Sequence, residues 1–385
     1  MRTASKSVQF ILPALVALLI ISCTQQGAWE TIEDQYGLIQ EGRIWQYRRP
    51  VQLDASGIGT DLHDVPVLVH LTPGKISYDK IKADYSDIRF MRPDGRTELP
   101  HEVELWNPSG DSYIWVKVPE IAAGSNETAF YLYYGNREPN PPLTPSLVWS
   151  NGYVAVFHLS ESSAPYHDSS PNGLLGRVGD VPMGNTLVQP ESAAGFIGRG
   201  LYYADSTRGF FINPSNEIAN IAPLSIMMMI DISAYSSNQH FINKDKWFLR
   251  SRSTGSGELR FQAFMDGTGD FYRDVSAGSD LSTVSWTSYA ITWEETTDIS
   301  GLDILINGGA PNQITNSSSA GPRQDDSAYA LVIGNTRSAG SALDEAYFDE
   351  IRISNVVRSA DWIALQELSL RDTLLSYGNE EALEY

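Results

Sequence analysis

The chain of 385 residues holds a single cysteine, Cys23, which excludes an intramolecular disulfide and a cysteine-built metal cluster. Its six histidines, at 63, 70, 101, 158, 167 and 240, are scattered, and none falls in the HExxH spacing of a zinc hydrolase. A Gly-x-Ser-x-Gly elbow and a phosphate-cradling glycine loop are also missing, which removes the commonest serine-hydrolase and nucleotide signatures. Positive charge is scarce. With 27 basic against 47 acidic residues the formal charge is -20, a field that repels nucleic acid and anionic lipid headgroups. Beyond the first 22 residues no apolar run approaches the roughly 20 residues of a membrane-spanning helix.

The N-terminus carries a different signal. Arg2 and Lys6 precede an apolar stretch from Val8 to Ile21, broken only by Gln9 and Pro13 and too short to span a bilayer. It ends in Ile20-Ile21-Ser22-Cys23, which resembles the lipobox of bacterial lipoproteins. The resemblance implies cleavage before Cys23 and transfer of a diacylglyceryl group to its thiol. Thr24 rather than Asp at the next position implies the outer membrane. Residues 1–22 are therefore expected to be a signal peptide and 23–43 a tether, leaving about 360 residues for folded domains.

From residue 44 the sequence is a succession of short strand-like runs. Ile114, Val116 and Val118 alternate with Trp115 and Lys117, as a strand buried on one face requires. Pro93-Asp94-Gly95, Pro108-Ser109-Gly110 and Gly124-Ser125-Asn126 punctuate the runs as turns. Such spacing without helical periodicity predicts an antiparallel sandwich over 44–136. Prolines 139, 141, 142 and 145 then mark 137–147 as an extended linker. Strand patterning resumes over 148–385, as in a large two-sheet jelly roll. One helix is predicted at Ser359–Leu370, with Ser359 as N-cap and Trp362, Ile363, Leu365 and Leu368 as its apolar stripe, closing one end of the sandwich. The fold class is thus all-β: an N-terminal β-sandwich, then a C-terminal jelly roll with a short helix.

Two further resemblances accompany this pattern. The blocks Trp45–Pro50, Val65–Val69, Ser86–Phe90, His101–Trp106, Ile114–Pro119 and Tyr131–Asn136 resemble, in order, the domain of unknown function numbered 2341. That family brings no established activity. The entry block Val148–Leu159 with His167–Gly173, and the exit block Phe348–Ser354 with Arg358–Ile363, resemble the laminin-G-like, concanavalin A-like lectin/glucanase superfamily. This second resemblance implies a jelly roll that binds sugars or proteins and often holds calcium.

Candidate chemistry follows from these expectations. Glucanases of the superfamily set carboxylates on alternate strand residues, about 6.6 Å apart, near the roughly 5.5 Å that a retaining glycosidase needs. Glu102 and Glu104 are the nearest match, but Trp106 stands where the last carboxylate belongs. The pair is read as exposed strand carboxylates, and the adjacent pair Asp349-Glu350 as pointing to opposite faces. His158 is read as a core residue with satisfied partners. Asp168, Asn172 and Asp349 are the expected calcium ligands, against the alternative that Asp168 merely forms an Asx-turn. Trp247, Tyr272, Trp286 and Trp293 are the aromatic candidates for a sugar platform. The expected function is a non-catalytic, lipid-anchored envelope protein that recognises a glycan or glycosylated partner. The alternatives are a protein-binding scaffold and, less favoured, a glycoside hydrolase.

Overall fold

The computed structural model describes residues 39–40, 43–136, 145–234, 236–253, 257–267, 269–278, 281–283 and 285–383. Cys23, the signal peptide and most of the expected tether and linker lie outside the described residues.

The first sandwich is built from β1 (Tyr47–Asp54), β2 (Leu62–Leu71), β3 (Arg89–Met91), β4 (His101–Leu105), β5 (Ser112–Ile121) and β6 (Asn126–Tyr134). β4, β5 and β2 form a three-stranded sheet, while β1, β6 and β3 form most of a five-stranded one. Alternate residues from the two sheets, among them Val51, Leu53, Phe130 and Leu132 against Val65, Val67, Ile114 and Val116, bury their side chains between them.

The second sandwich contains β7 (Tyr153–Phe157), β8 (Glu191–Ala194), β9 (Arg199–Tyr203), β10 (Phe210–Ile212), β11 (Leu224–Ile232), β12 (His240–Asn243) and β13 (Trp247–Ser253). It continues through β14 (Glu258–Ala263), β15 (Phe271–Ser276), β16 (Thr287–Trp293), β17 (Leu302–Ile306), β18 (Asn312–Ser317), β19 (Leu331–Ile333) and β20 (Ala346–Ser354). One sheet runs β8-β9-β20-β11-β16-β17, with β7 also paired to β20. The other runs from Tyr166–His167 and Leu175–Arg177 through β10, β19, β12, β13, β14 and β15 to β18. All ladders within the two sheets are antiparallel.

The two sandwiches are stacked. β11 explains why: its run Leu224–Ile230 is buried on both faces. Ile226, Met228 and Ile230 enter the core of the second sandwich. Met227 turns the other way, into the apolar cluster of the first, and Met229 packs with Leu68, Trp115 and Trp149. A strand covered on both sides has no need of polar alternation, hence the continuous apolar run.

The helix α1 (Ala360–Leu370) is capped by Ser359, whose side chain accepts from the Trp362 N–H. Its position differs from expectation. It does not close an end of the jelly roll but lies beside the edge strand β2, with Trp362, Ile363 and Leu365 buried in the first sandwich's cluster together with Met227, Ala290 and Leu305. Ser369 Oγ accepts from the Leu68 N–H at 2.7 Å, and Gln366 Nε2 donates to the Pro66 carbonyl at 2.7 Å. The helix thereby satisfies backbone groups that an edge strand leaves open.

The chain beyond the helix also departs from the expected 148–385 unit. β21 (Leu375–Tyr377) and β22 (Glu381–Ala382) both pair with β1, so the tail leaves the jelly roll and finishes the five-stranded sheet. The physical reason is the open edge of β1, which this tail covers.

Ser369→Ala is expected to lower stability in urea unfolding by about 1–3 kcal/mol, because it orphans the buried Leu68 N–H. Unchanged stability would show that this contact does not hold the helix to the edge.

Candidate functional site

Packing the three-stranded sheet onto the outer face of the β20 sheet brings four carboxylates together at the junction. Glu102 and Glu104 come from β4, Asp349 and Glu350 from β20, and His158 follows β7. The expectation that Glu102 and Glu104 are exposed fails: their side chains are 12% and 3% accessible, and that of Glu350 is 0%. The expectation that Asp349 and Glu350 point to opposite faces fails as well. Met227 pairs with Arg352 and Met229 with Asp349, so β20 holds an extra residue there, and Glu350 sits at φ 51°. This β-bulge lets Asp349 and Glu350 both face away from the core, while Phe348, Ile351 and Ile353 still enter it. β4 carries a comparable register shift between Val103 and Leu105, at Glu104.

His158 organises the cluster. Its Nδ1 lies 2.7 Å from Glu350 Oε1 and 3.3 Å from Glu104 Oε2, and its Nε2 lies 3.4 Å from Glu102 Oε2. Arg352 pairs with Glu350, donates to Gln366 Oε1 at 2.9 Å, and lies 4.1 Å over the Trp115 ring. Trp115 Nε1 donates to Glu104 at 2.7 Å, Trp149 Nε1 donates to Glu102, and Ser169 Oγ donates to Glu102 at 2.7 Å. Burial alone would lower the His158 pKa, but the carboxylates of Glu350, Glu104 and Glu102 outweigh it and raise it well above the ordinary value. Burial opposes ionisation of Glu350 too, yet His158 and Arg352 pull it down to about 2. Glu102 is likewise lowered, by His158 and its hydrogen-bond donors against burial. Burial and then the Glu350 charge raise both Glu104 and Asp349 well above the carboxylate range. Two anions thus face two cations, with Glu104 and Asp349 held as neutral acids.

Glu104, His158 and Glu350 place their ligand atoms within 4.8 Å of one another, a spacing that suits a metal ion. The donor set argues against one, because His158 and Arg352 already supply the positive charge Glu350 needs. A glycosidase role has no opening either, since Trp115 and Trp149 cover the carboxylates and both indoles are 0% exposed.

The expected calcium ligands are engaged elsewhere. Asp168 Oδ1 accepts from the N–H groups of Val156 and Ser170 at 2.8 and 2.7 Å, and Oδ2 accepts from Ser170 Oγ and Leu174 N–H at 2.7 and 3.0 Å. Asn172 Nδ2 donates to the Val154 carbonyl, and Asp349 accepts from the N–H groups of Ile197 and Glu350. Asp168 thus forms the Asx-turn, while Asp349 bonds backbone groups apart from it.

The outer face of the nine-stranded sheet is different in character. In-register rows run Asn243–Phe248–Gln262–Tyr272–Ser317 and His240–Arg250–Arg260–Asp274–Thr315. Their neighbours in sequence, such as Ile242, Leu249, Phe261 and Phe271, fill the core, so these rows face outward. Toward β10, Val181 and Leu187 of a short hairpin cover Phe211 and Val332. Arg260 grips Asp274 with two bonds of 2.7 and 2.8 Å and lies 4.0 Å over Tyr272. Of the four aromatic candidates, Trp247 and Trp293 are fully buried in the core, Trp286 packs at the junction, and Tyr272 is on this outer face. Sequence reasoning missed the face, although the alternation Lys246-Phe248-Arg250-Arg252 signals it.

The junction has a measurable consequence. Glu104 and Asp349 keep protons when folded that they would release above about pH 4.5 and 3.8, respectively, when unfolded, and His158 does the same above its ordinary 6.5. Each therefore lowers stability as pH rises. Glu350 has the opposite sign, acting between its ordinary 4.5 and about 2. Glu104→Gln, which mimics the neutral acid, is expected to leave the melting temperature nearly unchanged at about pH 5 and to flatten its decline toward pH 9. An identical decline would refute the assignment of a proton to Glu104.

No curated protein matches the chain. Solved structures resemble it only loosely. The binding domain of Paraclostridial Mosquitocidal Protein 1 aligns with TM-score 0.43 and 11% identity, over 57% of this chain and 52% of that one. Domain 4 of AbnA, a GH43 extracellular arabinanase from Geobacillus stearothermophilus in complex with arabinotriose, gives 0.43 and 15%, over 56% and 98%. The ligand-binding domain of botulinum neurotoxin serotype D in complex with N-acetylneuraminic acid gives 0.42 and 16%, over 56% and 50%. The chain thus spans about half of the two toxin structures. Family matches are firmer: residues 84–142 match a domain of unknown function, DUF2341, and residues 206–364 match the concanavalin A-like lectin/glucanases superfamily. The chain joins a DUF2341 domain to a concanavalin A-like domain.

Proposed function

We propose that this chain is a non-catalytic envelope protein, anchored by lipid at Cys23, whose concanavalin A-like domain binds a glycan on the outer face of the nine-stranded sheet. The observation that carries the reading is the contrast between the two outer faces of that sandwich. One is buried against the first domain and seals every carboxylate of the junction. The other presents the guanidinium groups of Arg250 and Arg260 and the ring of Tyr272 on adjacent strands, beside the buried amides of Asn243 and Gln262, a mixture that recognises hydroxyl-rich sugar rings. Glycan recognition there needs no bond-breaking pair, and the engaged Asp168 carboxylate supports binding that does not depend on calcium.

Glycan-array binding of a soluble form lacking residues 1–23 tests this. Tyr272→Ala is expected to reduce binding at least tenfold, equally with calcium and with chelator, and without loss of folding. Retained binding in Tyr272→Ala would remove this face from the reading. For the anchor, Cys23→Ser is expected to abolish incorporation of labelled fatty acid and to release the protein from membranes. Continued membrane attachment would refute lipidation at that position.

A further inference from the structure

We infer that the glycan held by this face bears carboxylate groups, as a uronic acid polysaccharide does. The inference rests on the binding face proposed above and narrows its ligand.

The face is locally cationic on a chain of formal charge -20. Lys246, Arg250 and Arg252 lie at alternate positions of β13 and the turn before it, and Arg260 is paired in register with Arg250 on β14. Among the described residues three carboxylates answer these four cations: Asp274, Glu258 and, through its charge on Arg260, Asp270. Asp274 takes both bonds of the Arg260 fork, lies 3.2 Å from Arg252 and accepts from Thr315 Oγ1 at 2.6 Å, while Glu258 stands 3.8 Å from Arg252. Asp274 is 0% exposed and fully committed.

Arg250 is left over. Among the described residues no carboxylate pairs with it; its Nη1 donates to Asn238 Oδ1 at 2.5 Å, and its Nε has no hydrogen-bond partner. Beside it His240, 9% exposed, leaves Nδ1 without a partner, and burial followed by the Arg250 charge lowers its pKa to about 4, so it stays neutral. Burial and the neighbouring charges of Arg260 and Arg252 also depress the Arg250 pKa, against the opposing pull of Asp274. Like charges so crowded gain from an incoming anion. Arg260 and Asp274 display, one strand away, the bidentate geometry that a ligand carboxylate would make with Arg250. The guanidinium of Arg250 lies 5.2 Å over the Phe248 ring, which orients it before any ligand arrives.

The overall charge selects among anions. The chain's net negative charge disfavours a dense polyanion close by, while interactions beyond a Debye length of about 8 Å are largely screened, so the contact rewards charges that meet the arginines directly. A sugar polymer with one carboxylate on each ring fits that requirement better than a densely sulfated one.

Affinity electrophoresis of the soluble chain, in chelator, against polygalacturonate, its fully methyl-esterified form, dextran sulfate and neutral arabinan tests the inference. Polygalacturonate is expected to bind, methyl esterification to weaken binding at least tenfold, and Arg250→Gln to weaken it similarly while leaving the melting temperature within error. Arg252→Gln, at the rim, serves if Arg250→Gln does not fold, with a loss of several-fold expected. Equal binding of the esterified polymer, tighter binding of dextran sulfate, or binding of arabinan that ignores Arg250→Gln and Arg252→Gln would overturn this inference while leaving the glycan-binding face in place. Failure of all four polymers would overturn it, and if the glycan array is also blank the reading of the face falls with it.

Discussion

Burying charge between two sheets is costly, and this molecule accepts that cost at the contact between its two sandwiches. Glu102, His158, Glu350 and Arg352 come from opposite sides of the junction and are useful to one another only when the sheets meet in a single register. Removing any one would strand a desolvated charge, and it is this asymmetry, more than any net attraction, that fixes the relative placement of the domains. The apolar contacts of Met227 and Met229 bring the faces together, and they are adaptable side chains that would tolerate several offsets. The charges do not tolerate them.

The helix extends the same arrangement. Gln366 accepts from Arg352 through its carbonyl oxygen and donates to the Pro66 carbonyl through its amide, connecting the ionic cluster to the edge of β2. Ser369 completes the edge two residues further along β2, at Leu68. The tail then crosses to β1, so the last strands of the chain close the first sandwich. Such a return path makes the two units one folding problem, because the N-terminal sheet is incomplete until the C-terminal segment has arrived.

Much of this was legible from residues alone. The strand runs, the helix at 360–370 with its Ser359 cap, and the two-sandwich class follow from alternation, turn residues and one apolar stripe. What was not legible depends on long-range geometry. Period-two reasoning places Asp349 and Glu350 on opposite faces, and only a bulge created by pairing with β11 reverses that. The burial of Glu102 and Glu104 depends on a partner sheet more than 40 residues away, beginning with Trp149 and His158. The tail's return to β1 has no local sequence signature, since Leu375–Tyr377 reads equally well as the end of a jelly roll. Asp168 illustrates the opposite case: a loop of Asp, Ser and Asn offers oxygens to an ion and to its own backbone alike, and the count of nearby N–H groups decides.

The layer order has a directional consequence. From one side to the other the stack runs five-stranded, three-stranded, seven-stranded, then nine-stranded sheet. Packed sheets are spaced about 10 Å apart, so roughly 30 Å separates the first layer from the last. Trp45, at the start of the described domain, packs on the first layer with Met91 and Tyr133. The arginine-bearing surface therefore lies on the opposite side of the stack from Trp45, like a palm turned away from the wrist.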